Sequence, residues 1–131
     1  MGGALAALGI GAAIKPGGLK SAWPGLWEIS RSATGANPQR VCIADPTFLA
    51  RWEHRRASCS VTKLIEKANL ETFDYQCSVG GFGRTDITLL TPRSLRIHTQ
   101  GIANGLPFDE VLQARWVRRC GDVKPALTQL R

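Results

Sequence analysis

The chain has 131 residues, of which 17 are basic and 10 acidic, so that it carries a formal net charge of +7. One domain with a modest core accounts for this length, and a content of 44% hydrophobic and 21% charged residues is ordinary for a globular protein. The charge favours anionic surfaces, whether nucleic acid, phospholipid or lipopolysaccharide, without choosing among them.

Residues 1–14 are apolar or glycine throughout. Such a stretch is too short to span a bilayer and is similar to the hydrophobic region of a secretory signal, with Gly11 to Ala13 as the cleavage candidate. It lacks the basic residues that normally precede this region, and an N-terminal helix packed on the domain is the alternative. We predict a signal-like segment and linker over residues 1–22, one β-rich domain over 23–121 and a tail over 122–131.

Two strands and a helix open the predicted domain. The first strand is predicted over residues 25–35 and the second, which carries Cys42, over residues 39–44. Asp45-Pro46 then supplies an N-cap and a first helical residue, so that a helix is predicted through Arg56. The inward side chains of the first strand are Trp27, Ile29 and Ala33. The apolar face of the helix is Phe48, Leu49 and Trp52.

The segment from Cys59 to Cys77 is predicted to form one β-hairpin. Residues 72–79 alternate between two faces without a fault, which is the period of a half-buried strand. A three-residue loop over Lys67–Asn69, with Asn69 in the left-handed conformation, sets Cys59 directly opposite Cys77. Directly opposed side chains lie within disulfide range, so the turn and the cysteines support each other.

Three further strands are predicted over residues 84–91, 95–103 and 108–120. Gly80 to Gly83 is assigned to a loop and not to a phosphate site, because a phosphate-binding loop requires a following helix. Asn104-Gly105 is the strongest short hairpin signal in the sequence. A two-residue loop there sets Ile97 opposite Leu112, so that the apolar faces of both strands coincide.

Four cysteines at wide, irregular spacings favour two disulfides over a zinc site, which typically uses short Cys-x2–4-Cys knuckles. The hairpin pairs Cys59 with Cys77, which leaves Cys42 with Cys120. Disulfides persist in oxidising compartments, so a periplasmic or secreted location is expected.

The predicted fold is mainly β, an antiparallel meander of about seven strands with one short helix and two disulfides. Because the second disulfide joins early chain to late chain, it favours a strongly curved sheet or a partly closed barrel. A flat sheet with the helix laid across it is the alternative.

Five short segments occur in a recognisable order and spacing over roughly residues 23 to 120: Pro24–Ile29, Val41–Ile43, Cys59–Val61, Tyr75–Cys77 and Arg118–Cys120. Together they resemble the bacterial family called domain of unknown function 3617. Members of that family are mostly small exported proteins of Gram-negative bacteria with an N-terminal signal and four such cysteines. The resemblance implies a periplasmic or envelope location and no assigned activity.

Neither catalysis nor a cofactor is predicted. His54 and His98 are the only histidines, and neither lies in a motif with a nucleophile. They are interpreted as a solvated helix residue and an outward strand residue. The carboxylates that fall mostly on outward positions, and so mark no acid–base pair, are Glu28, Asp74, Asp86, Asp109 and Glu110.

A binding role is preferred, for which three hypotheses are open. A curved sheet could enclose a small apolar or amphipathic ligand on its concave side, lined by Trp27, Phe73, Tyr75 and Trp116, unless these side chains simply fill the core. A basic surface for acidic lipid or, less favoured, nucleic acid could be formed by Arg51, Arg55, Arg56, Arg115, Arg118 and Arg119. The third hypothesis is an envelope protein, without a transmembrane span, that acts through a protein partner.

Overall fold

The computed structural model describes residues 18–121, which form two short 3-10 segments and seven strands. The first 3-10 segment is Gly18–Ser21, and the second, called here the covering helix, is Pro46–His54. The strands are β1 (Gly25–Ser30), β2 (Gln39–Ile43), β3 (Cys59–Lys67), β4 (Leu70–Cys77), β5 (Phe82–Thr91), β6 (Ser94–Ala103) and β7 (Leu106–Arg118). The predicted tail and most of the signal-like segment lie outside the described residues.

All seven strands form one antiparallel sheet in the order β2-β1-β7-β6-β5-β4-β3. Strands β3 to β7 follow one another as a meander, and β1 with β2 is added beside β7. The predicted fold class, mainly β with seven antiparallel strands, one short helix and two disulfides, is confirmed. Within the described chain β2 and β3 are the two edges of the sheet, so the sheet is open and not closed into a barrel.

Both predicted disulfides are present, Cys42 with Cys120 and Cys59 with Cys77. The Cys42–Cys120 bond does not draw the two edges of the sheet together, as the expected partly closed barrel requires. Strand β2 and the chain just after β7 both lie next to β1, so this bond fastens two strands that flank the same neighbour. The disulfide therefore stabilises one side of the sheet without closing it.

The β6–β7 hairpin has the predicted register, with Ile97 opposite Leu112. Its two loop residues, Asn104 and Gly105, have φ values of 54° and 77°. A type I′ turn requires positive φ at both positions, which these two residue types tolerate best.

The β3–β4 hairpin differs from the prediction near its loop. Cys59 lies opposite Cys77, but the register shifts by one residue between Lys63 and Ile65. The extra residue is absorbed as a bulge, and the loop that remains has two residues, Ala68 and Asn69. The predicted three-residue loop with a left-handed Asn69 is therefore wrong.

Several strand boundaries differ from the prediction: β7 spans Leu106–Arg118 instead of residues 108–120, and β1 and β5 differ as follows. Strand β1 ends at Ser30, because the Ser30 hydroxyl donates to the carbonyl of Ala36 at 2.6 Å and accepts the N–H of Ser32 at 3.0 Å, which turns the chain. Ala33 consequently lies outside β1. Phe82 and Gly83, assigned to a loop, begin β5 and pair with β6.

The covering helix begins as predicted and ends early. The Asp45 side chain accepts the N–H of Thr47 at 3.0 Å, as an N-cap does. The helix is 3-10, is interrupted at Arg51 (φ −122°, ψ 36°) and ends at His54 instead of Arg56. Its buried side chains are Leu49, Ala50, Trp52 and His54.

The core lies between the covering helix and one face of the sheet, called here the inner face. The helix contacts β3, β4, β5 and β6. The buried core residues are Leu19, Ala22, Trp27, Ile29, Ile43, Leu49, Ala50, Trp52, Phe73, Ile87, Leu95, Ile97, Leu112 and Ala114. Leu19 and Ala22 belong to this core, so the packed part of the described chain includes residues that precede the predicted start at residue 23.

His54 is buried with 9% of its surface exposed, so the prediction of a solvated helix residue is wrong. In an α-helix His54 would lie far from the Trp52 face, but the interrupted 3-10 geometry turns both inward. Its Nε2 lies 3.0 Å from the carbonyl of Ile102, which can only accept, so Nε2 carries the proton. Its Nδ1 then accepts from the hydroxyl of Tyr75 at 2.8 Å.

The substitution Tyr75→Phe tests this buried hydrogen bond. Burial raises the pKa of the Tyr75 phenol, which keeps it protonated and able to donate. Loss of the Tyr75 hydroxyl leaves Nδ1 of His54 without a hydrogen-bond donor. We therefore expect the free energy of unfolding to fall by about 1–3 kcal/mol. Urea denaturation followed by circular dichroism measures the change, and an unchanged midpoint contradicts the assignment.

Candidate functional site

The aromatic residues predicted to line a concave ligand site lie on the inner face. Trp27, Phe73 and Tyr75 are only 1–2% exposed; Trp27 and Phe73 belong to the core cluster, and Tyr75 contacts His54 of the covering helix. Trp116 is half-buried, and its ring meets that of Trp23 edge-on at 4.9 Å. The inner face is therefore occupied by packed side chains at these positions.

The six predicted arginines do not come together as one surface. Arg55 and Arg56 lie beside the β6–β7 loop, whereas Arg119 lies beside Cys120, at the opposite end of β7. Strand β6 alone separates these ends by about 30 Å, at roughly 3.3 Å per residue.

Three of these arginines are engaged in contacts within the fold. The guanidinium of Arg51 donates to the carbonyls of His54 and Ala57 at 3.1 Å each, and so terminates the covering helix. That of Arg55 stacks 3.9 Å from the Trp52 ring. Arg115 lies 3.5 Å from a carboxylate oxygen of Glu28.

A cleft of about 870 Å³, open to solvent, lies across β4, β5, β6 and β7 on the outer face, opposite the core. We call it the outer groove. Two rows of outward side chains cross it from strand to strand. The first row is Gln76, Phe82, Ile102 and Pro107. The second row is Asp74, Arg84, Gln100 and Asp109.

Two opposed glycines, Gly83 on β5 and Gly101 on β6, lie between these rows. A Cβ at Gly83 would lie 2.6 Å from the Tyr75 hydroxyl oxygen, and one at Gly101 would collide with the carbonyl oxygen of Phe82. Only glycine fits this close approach of backbone and side chains. The residues before and after each glycine point outward. On the outer face, the first and second rows are therefore separated by the backbone of Gly83 and Gly101.

The second row, called here the polar row, is held by ion pairs. Arg84 donates to both carboxylate oxygens of Asp74, at 2.6 and 3.1 Å. The hydrogen bond from Arg84 lowers the pKa of Asp74, so that carboxylate is ionised at neutral pH. At the other end of the row the Asp109 carboxylate lies 2.8 Å from Nε2 of His98, which points outward as predicted.

The first row includes an exposed aromatic side chain. Phe82 has 48% of its surface open to solvent, and Ile102 and Pro107 lie beside it in the same row. The sequence interpretation missed Phe82 because it was assigned to a loop. The signal that could have found it is the alternation from Phe82 through Arg84 to Asp86, with Gly83 and Thr85 turned inward.

Within residues 18–121 no group of three or more His, Cys, Asp or Glu side chains is placed to hold a metal ion. In the same range no helix has the length and apolar character needed to cross a membrane. Comparisons with family models, with curated proteins and with solved structures find no match. Fold and groove together define a small, open antiparallel β-sheet protein with two disulfides and a polar–aromatic groove on its outer face.

Proposed function

We propose that the protein is an exported, non-enzymatic binding protein of the bacterial periplasm or envelope, which holds a small amphipathic ligand in the outer groove. One observation carries the proposal. The aromatic side chains of Trp27, Phe73 and Tyr75 are buried on the inner face, where they have no surface free for a ligand. The outer groove instead presents an exposed Phe82 next to an ordered row of polar side chains. Concave sites with apolar walls and a few fixed polar groups are typical of small-molecule binding.

Two observations support export. All four cysteines are joined in disulfides, which persist in oxidising compartments. The segments that resemble domain of unknown function 3617 fall on β1, on β2, on the two ends of the disulfide-linked β3–β4 hairpin and at the end of β7. An exported family with four such cysteines is what that resemblance implies.

The absence of catalysis is supported by how the nucleophile and base candidates are used. Both ring nitrogens of His54 are engaged within the fold, which leaves neither free to act as a base. Because every cysteine is oxidised, none offers a thiolate.

Amide chemical-shift mapping by NMR tests the proposed site. Lipid, glycan and peptide fractions of a bacterial envelope extract are added separately to the labelled protein. We expect one fraction to shift the amide signals of Gly83 and Gly101 and to leave those of Trp27 and Phe73 unchanged. Shifts confined to inner-face residues, or no shift with any fraction, contradict the proposal.

A second candidate is pairing of the edge strand β3 with a strand of a protein partner. Val61, Leu64 and Ile65 are 39–45% exposed on this edge, and an exposed edge can accept another strand. The bulge after Lys63 interrupts regular pairing, as edges protected from association often do. In the same experiment, shifts along β3 with the peptide fraction favour this candidate.

A further inference from the structure

The exposed ring of Phe82 offers the outer groove a flat apolar surface. An aromatic face carries negative charge density and attracts the slightly positive C–H groups of a ligand that lies flat upon it. A pyranose ring has such a C–H face, with its hydroxyl groups at the rim. Pro107 and Ile102 extend the apolar wall beside Phe82.

The second row supplies the hydrogen bonds that hydroxyl groups need. A hydroxyl both donates and accepts, and the amide of Gln100 can do the same with one side chain. The Asp74 carboxylate and the Arg84 guanidinium lie side by side in a fixed two-bond pair, with an acceptor next to a donor. Such planar groups match neighbouring hydroxyls on a sugar ring.

Within the described chain, the groove does not offer the basic cluster that anionic ligands bind. Arg84 is the one Lys or Arg among the lining residues that the structure describes, and its guanidinium is paired with Asp74. Acidic lipid and nucleic acid, which bind through several basic side chains, are therefore disfavoured as ligands of the groove. The volume of about 870 Å³ lies within the roughly 300–1,000 Å³ of small-molecule sites, as a short oligosaccharide requires.

We infer that the ligand of the outer groove is a neutral oligosaccharide, stacked on Phe82 and hydrogen-bonded by the polar row. This inference rests on the proposed binding function and names the chemical class of its ligand.

The test is an NMR titration of the labelled full chain with three neutral trisaccharides, namely maltotriose, cellotriose and N,N′,N″-triacetylchitotriose. At least one is expected to shift the Gly83 and Gly101 amides. The variant Phe82→Ala should raise the dissociation constant about tenfold, and Gln100→Ala should also raise it. The matched control is Val111→Ala, an apolar residue on the outer face that is 44% exposed but lies outside the groove, and its effect should stay within about twofold.

The inference is overturned if no trisaccharide shifts these amides at concentrations up to about 10 mM. It is equally overturned if Phe82→Ala and Val111→Ala bind alike. Dodecylphosphocholine, an amphiphile without a sugar, distinguishes failure of the oligosaccharide class from failure of the binding function. If it shifts the groove amides and the trisaccharides do not, the groove remains a binding site and only the oligosaccharide class fails. If neither does, the proposed function fails as well.

Discussion

Replacement of Cys42 and Cys120 by serine is expected to lower the free energy of unfolding by about 4–5 kcal/mol, the larger of the two disulfide effects. The reason is the length of chain that each bond closes, because a longer loop gains more conformational freedom in the unfolded state when its link is removed. The sequence separations are 78 residues for Cys42–Cys120 and 18 for Cys59–Cys77.

The matched control is the double serine variant of Cys59 and Cys77, for which the same model gives about 3 kcal/mol. Urea denaturation followed by circular dichroism compares both variants with the unaltered, oxidised protein. If the hairpin variant is the less stable of the two, loop length does not govern these bonds, and local packing around β3 and β4 must do so.

The second large effect is expected for Phe73→Ala, which should cost about 3–5 kcal/mol of unfolding free energy. Phe73 is 2% exposed under the covering helix, so its removal leaves a cavity in the core. The matched change Phe82→Ala removes the same side chain from the outer face, where 48% of it is already exposed, and should stay within about 0.5 kcal/mol.

Thermal or urea unfolding of these two variants under identical conditions decides whether the inner face is a core. A small loss for Phe73→Ala would mean that the inner face tolerates an open cavity, as a ligand site there requires. A large loss for Phe82→Ala would give that residue a structural role and weaken its assignment to binding.

Strand register was predictable from sequence wherever a local rule fixed it. The alternation over residues 72–79 identified Phe73 and Tyr75 as inward side chains of β4, because neighbouring strand residues point to opposite faces. However, Thr72 is also buried, and Val79 lies beyond the strand, 79% exposed. Asn104 and Gly105 fixed the β6–β7 register, because few residue pairs accept positive φ at both positions. The opposed Cys59 and Cys77 followed from the hairpin.

The errors arose where tertiary contacts override local rules. The bulge between Lys63 and Ile65 shortens the β3–β4 loop. The alternation of apolar and polar residues along β4 does not indicate where the partner strand has a bulge. His54 is buried because the covering helix is interrupted at Arg51, which changes the face that it presents. A disulfide between early and late chain does not reveal strand order, so the pairing of Cys42 with Cys120 could not distinguish a closed sheet from an open one.

The outer groove was beyond sequence interpretation for a related reason. It depends on Gly83 lying opposite Gly101, a register between β5 and β6 that must be known before the two rows of side chains can be assembled. The exposure of Phe82 then follows from strand parity. The sequence contains these residues but does not show which of them pair across β5 and β6.

Intermolecular nuclear Overhauser contacts between a bound ligand and aromatic ring protons test the central claim most directly. With a trisaccharide that shifts the groove amides, we expect contacts from the sugar protons to the Phe82 ring and none to Trp27 or Phe73. Contacts to either of those two inner-face rings would place the ligand among the side chains assigned to the core, and would contradict the account.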